Sequence, residues 1–99
     1  MNELVNKVEA WSIEKGLHKA KPRDQMLKVV EEIGEVSSAL AKNKPDELKD
    51  GIGDVVVTLI ILAQQSGLTL EECLKCAYDE TKGRTGEMVN GVFVKQEDL

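Results

Sequence analysis

Residues 45–65, PDELKDGIGDVVVTLIILAQQ, decide the fold. Pro45, Asp46 and Glu47 make a favourable first turn of a helix: proline at the first position gives up no hydrogen bond, and carboxylates complement the positive end of the helix dipole. The pattern predicts a helix to Gln65, with Gly67 marking its exit. From Ile52 to Ala63 the apolar side chains extend almost round the circumference. A helix that is apolar on nearly every side is buried on nearly every side, so this one is expected at the centre of a bundle or at a subunit interface. Its apolar run, residues 55–63, falls far short of the ~20 residues a membrane span needs.

The neighbouring segments also read as helices. Asn2 can cap a first helix ending near Lys15, with Leu4, Val5, Val8, Trp11 and Ile13 toward a core. Gly16 ends it, and residues 17–21 link it to a second helix that starts at Pro22 and runs to about Lys42. Met26, Val29, Val30, Ile33, Val36 and Leu40 recur there at helical spacing and are expected as its buried stripe. Thr69 and Glu72 form a capping box for a fourth helix, with Leu70, Leu74, Ala77 and Tyr78 as its stripe. In the tail, the Asn90–Gly91 pair between apolar residues fits a small hairpin, which would need to dock on the helices. The expected architecture is an all-α, short four-helix bundle with a small C-terminal tail or hairpin, completed by oligomerisation.

Ninety-nine residues make one domain, with a core that is marginal on its own. The formal charge of -5 argues against a nucleic-acid polymer as partner, but not against a phosphorylated ligand, since a bound metal reverses the local sign. The opening MNELVNKVEAW has acidic positions and no apolar run after a basic start; it does not read as a signal peptide, and a cytoplasmic location is expected. Cys73 and Cys76 form a CxxC with no strand before it and no full set of zinc ligands, so they read as small, mostly buried helix residues.

Two carboxylate clusters carry the chemistry. Glu31 and Glu35 are one helical turn apart, with Glu32 beside them, and Asp50 and Asp54 are spaced the same way on the next helix. Asp54 shares its side with Val57 and Ile61, where a merely solvated acidic face would not continue, so it is expected to be partly enclosed. An enclosed carboxylate must be paired or coordinate a metal. Glu31, Glu32, Glu35, Asp50 and Asp54 together suit Mg2+, with Mn2+ as a substitute, bridging phosphate oxygens and activating a water. The other reading of the glutamates is a solvated helix face. No nucleophile–histidine arrangement is apparent. Lys82 and Arg84, beside Gly83 and Gly86, can hold phosphates or simply complement a helix C-terminus, and Trp11 can stack on a base or belong to the core.

Glu31–Glu32–Ile33–Gly34–Glu35, followed by Gly53–Asp54–Val55 in a mostly apolar helix, resembles the MazG-like all-α nucleoside triphosphate pyrophosphohydrolases over roughly residues 22–84. The family's core is ExxE on one helix and ExxD on the next. Glu32 and Glu35 match the first half and Asp54 the end of the second; the remaining glutamate would fall at Gly51, and Asp50 is the available carboxylate. The resemblance implies catalytic and metal-binding roles for Glu32, Glu35 and Asp54, and places Asp79, Lys82 and Arg84 against metal-bound phosphates. It further implies hydrolysis between the α and β phosphates to nucleoside monophosphate and pyrophosphate, assembly as a homodimer or homotetramer, and a nucleotide-pool housecleaning role. The alternative is a noncatalytic helical module that binds nucleotides or another protein.

Overall fold

A computed structural model describes residues 2–99. Its helices are α1 (Glu3–Glu14), α2 (Pro22–Ala41), α3 (Pro45–Gln65) and α4 (Leu70–Thr81), followed by the strands β1 (Gly86–Val89) and β2 (Val92–Lys95). A 3-10 turn, Leu17–Lys19, links α1 to α2, and another, Gln96–Asp98, closes the chain. The all-α bundle with a C-terminal hairpin is therefore as the sequence indicates. The Asn2 side chain accepts the Val5 N–H at 3.0 Å, and the Thr69–Glu72 capping box is complete. Asn90 and Gly91 both have positive φ, 52° and 82°, as a two-residue hairpin turn requires.

α2 and α3 form an antiparallel pair that makes up the core, with α1 and the Leu17–Lys19 turn laid against α3. Three glutamine contacts hold these layers. Gln25 Nε2 donates to the Thr58 carbonyl at 3.0 Å, Gln64 Nε2 to the Glu9 carbonyl at 3.1 Å, and Gln65 Nε2 to the Leu17 carbonyl at 2.9 Å.

The inward faces differ in part from the expected stripes. On α2 the residues turned to α3 are Gln25, Val29, Glu32, Val36 and Ala39, which recur in alternating steps of four and three. Met26, Val30, Ile33 and Leu40, expected in the core, are exposed. The two rows run side by side around the helix, and α3 covers only one of them. On α1 the inward residues are Val5, Val8 and Ser12, whereas Leu4, Trp11 and Ile13 are exposed. On α3, Ile60 is fully enclosed within the protomer, while Ile52, Val56 and Leu59 face outward. The α4 stripe is largely open at Leu74 and Tyr78, Cys76 is exposed and Cys73 only half-buried where both were expected mostly buried, and the hairpin leaves Met88, Val92 and Phe93 exposed.

Gly51 marks a close approach of α3 to α2. It is buried, and a Cβ there would lie 3.1 Å from Val36 Cγ2. No single helix is long and apolar enough to cross a membrane among the described residues; α3 and α4 reach that length together only across a 102° bend.

Candidate metal and nucleotide site

The α2–α3 contact brings Glu32, Glu35 and Asp54 together. One carboxylate oxygen from each lies within 4.8 Å of the others. Glu32 occupies the inward row of α2 and is only 9% exposed; Asp54 is half-buried and Glu35 is open to solvent. Glu32 Oε2 is buried without a hydrogen-bond partner. An orphaned acceptor inside a bundle is costly unless something else satisfies it.

Crowding and burial leave their mark on the acidities. Burial, then sharing of a proton with Glu35 and repulsion from its charge, pushes the Glu32 carboxyl above its ordinary value. Burial, then the neighbouring Asp50 and Glu32 charges, does the same to Asp54. Both groups thus resist ionisation unless a cation joins them. The donor set is all oxygen, which suits a hard divalent ion, and the orphaned Glu32 oxygen faces that need. Glu31 and Asp50 stand outside the group of three. Glu31 faces Lys28, while Asp50 shares with Asp54 a groove lined also by Glu35, Ser38, Glu47 and Gly51.

An open cavity of about 450 Å³ adjoins the carboxylates, with Glu32 and Asp54 on one wall and Trp11, Leu17 and Ile61 on others. Gln65 fixes the Leu17 side of this cavity through its hydrogen bond, and Gln25 braces the opposite helix against α3. Trp11 is therefore placed next to the acidic group. Asp79, Lys82 and Arg84 are not. Asp79 is held by Lys75 at 2.7 Å and Lys82 at 3.1 Å, and these hydrogen bonds keep its carboxyl below the ordinary range. Arg84 opens on a separate cavity of about 330 Å³ between the end of α4 and β2.

Sequence reasoning missed Lys28, whose ammonium lies 3.8 Å from both Glu31 and Glu32 and lines the cavity beside Trp11. The signal was available: Lys28 stands three and four residues before two glutamates of the motif. It missed Gln25 and Thr58 too, because their contact spans two helices.

Two acidic helices packed at a glycine, with a cavity at their carboxylates, define a helical domain with a site suited to a divalent cation. The family model of the MazG nucleotide pyrophosphohydrolase domain matches residues 20–88, and the chain belongs to that family. The chain is 42% identical over 67 residues to a protein of Haemophilus phage HP1 described as an uncharacterized 18.2 kDa protein in the rep-hol intergenic region. That match covers 67% of this chain and 41% of the phage protein, so the chain spans about two fifths of its relative's length. No solved structure gives a significant match. Family membership points to nucleotide pyrophosphohydrolase activity.

Proposed function

We propose that this domain hydrolyses nucleoside triphosphates between the α and β phosphates in a Mg2+-dependent reaction, releasing nucleoside monophosphate and pyrophosphate. The observation that carries the reading is the convergence of Glu32, Glu35 and Asp54 from two helices, with the buried Glu32 oxygen left unpartnered. Bound Mg2+, or Mn2+ in its place, supplies charge neutralisation at the phosphates and a more acidic water. Glu32, Glu35 and Asp54 hold the ion, and Asp50 completes the acidic wall where the family's glutamate is replaced by Gly51. Glu31 contributes negative charge at the rim. Glu35, the most open of the three, would accept a proton from the attacking water through the carboxylate oxygen not engaged with the ion. Trp11 forms the wall against which the base rests.

The chain acts as one domain within a homodimer or homotetramer. Its solvent-accessible surface is 7462 Å², against roughly 5,600 Å² for a compact monomer of 10.9 kDa. The excess exceeds the ~800 Å² that each partner contributes to an ordinary interface. The outward row of α2, with Ile52, Val56 and Leu59 of α3, offers exposed apolar surface for such an interface. Within the protomer Asp79, Lys82 and Arg84 stand apart from the carboxylates, so their proposed role at the metal-bound phosphates is assigned to the assembled protein. A cytoplasmic site of action fits a soluble nucleotide substrate.

The test is a panel of canonical and modified nucleoside triphosphates, with pyrophosphate and monophosphate measured separately. Equal amounts of the two, dependent on Mg2+, are expected. Orthophosphate without pyrophosphate would exclude α–β cleavage, and nucleotide binding without any product would favour the noncatalytic module.

A further inference from the structure

We infer that residues 15–23 form an electrostatic capture surface for the metal-bound nucleotide, speeding its arrival without touching it once bound. The inference rests on the proposed reading of the site as a nucleoside triphosphate hydrolase. Lys15, Lys19, Lys21 and Arg23 are four of the chain's 13 Lys and Arg residues, and this stretch holds none of its 18 acidic ones. The remainder of a chain whose net charge is -5 is therefore more acidic still. All four side chains are exposed, and none is ion-paired among the described residues.

The stretch borders the cavity beside the carboxylates. Leu17, Ala20 and Asp24 line that cavity, and none of the four cations does. Lys19 and Lys21 flank Ala20 in the chain and Arg23 precedes Asp24, each a single Cα step away. Helix stability does not account for them. Lys21 is the N-cap of α2 and makes no side-chain cap bond, and Arg23 is the second residue of the helix. That end of a helix favours Asn, Asp or Ser at the cap and repels cations, because it already carries positive partial charge. Here the dipole of a 20-residue helix adds to the side-chain charges and concentrates positive potential at the cavity edge. A triphosphate keeps net negative charge after one divalent ion binds it. Most of this acidic surface repels it, whereas residues 15–23 attract it beside the cavity. Fields of this kind raise encounter rates ~10-fold or more and weaken with salt. The attraction scales with ligand charge, so it favours the triphosphate over the monophosphate product.

The test follows association through the emission of Trp11, the chain's one tryptophan and part of the cavity wall. α,β-Methylene analogues of the four deoxynucleoside triphosphates are mixed in Mg2+ with wild type, with Lys19→Gln/Lys21→Gln and with Lys42→Gln/Lys44→Gln. The last variant removes the same charge beyond the opposite end of α2. Lys19→Gln/Lys21→Gln is expected to slow association at least ~3-fold at ~0.01 M ionic strength, where the Debye length is ~30 Å, and to match wild type within ~1.5-fold at ~1 M, where it is ~3 Å. Dissociation should change less than ~2-fold in either salt, as for a charge outside the contact, and Lys42→Gln/Lys44→Gln should associate within ~1.5-fold of wild type. Faster dissociation with unchanged association, or a loss that persists at ~1 M, would overturn the inference, because the lysines would then touch the bound nucleotide. Equal slowing by the two variants would overturn it as well, leaving net charge and not this stretch as the cause. Single-stranded oligodeoxythymidylate bound by wild type and lost in Lys19→Gln/Lys21→Gln, with nucleotide association unchanged, would replace it with a nucleic-acid surface. These rates stand apart from turnover: analogue binding by a protein that hydrolyses no triphosphate would refute the proposed reaction and still decide the capture role.

Discussion

Asp54 and Glu32 concentrate the consequences at the scale of single residues. Asp54→Asn keeps the shape of the side chain and removes the charge a divalent ion needs, so turnover should fall at least ~100-fold, about 2.7 kcal/mol in the barrier. Asp50→Asn, outside the closest group, should cost less; steady-state pyrophosphate release at limiting Mg2+ compares the two. The metal-free fold should tolerate Asp54→Asn, since one member of a self-repelling cluster is gone. For Glu32 the sign of the pH effect follows from its raised acidity constant. A carboxyl whose folded value lies above its ordinary 4.5 costs stability when ionised, and that cost disappears as pH falls. Glu32→Gln should therefore be more stable than metal-free wild type at pH 7, with the difference shrinking toward zero near pH 4. Urea unfolding of both proteins in EDTA measures this, and a difference that grows on acidification would contradict it.

At the scale of elements, Gly51 and Gly53 make a matched pair on α3. Nothing lies within 4 Å of a Cβ built on Gly53, whereas one on Gly51 meets Val36 at 3.1 Å. Gly53→Ala should stabilise the protein by ~0.5–1 kcal/mol through helix propensity. Gly51→Glu, which restores the family's carboxylate, should instead cost ~1–3 kcal/mol through overpacking against a stiff β-branched neighbour. Chemical denaturation of both variants decides it. The helices themselves were legible from caps, prolines and periodicity. Spacing grouped five carboxylates on two helices, and only the family resemblance singled out Glu32, Glu35 and Asp54, because spacing sets residues on one helical face and not the faces of two helices together. The inward row of α2 was not legible. Gln25–Val29–Glu32–Val36–Ala39 is less apolar than Met26–Val30–Ile33–Leu40, yet it packs on α3 and carries Glu32 to Asp54. A pattern of hydrophobicity cannot separate a row buried by the protomer from one left for another surface. The same limit hid the exposure of Leu4, Ile13, Leu74 and Tyr78.

The whole molecule is extended for its length. Its radius of gyration is 16.2 Å, against about 13 Å for a compact chain of 100 residues. α4 and the hairpin project from the α2–α3 pair instead of closing over it, which leaves both the apolar rows and the Lys82–Arg84 end of α4 open. Light scattering at micromolar concentration should find a dimer or tetramer, and Val56→Glu, in the outward row of α3, should shift it toward monomer; a stable wild-type monomer would remove assembly from the account. The most direct test of the central claim is pyrophosphate release from nucleoside triphosphates by the purified protein in Mg2+, after EDTA, and after Mg2+ is restored. Release that stops with EDTA, returns with Mg2+ and is matched mole for mole by nucleoside monophosphate is the expected result, whereas release unaffected by EDTA, or its absence across the whole panel, would contradict a metal-dependent pyrophosphohydrolase built on Glu32, Glu35 and Asp54.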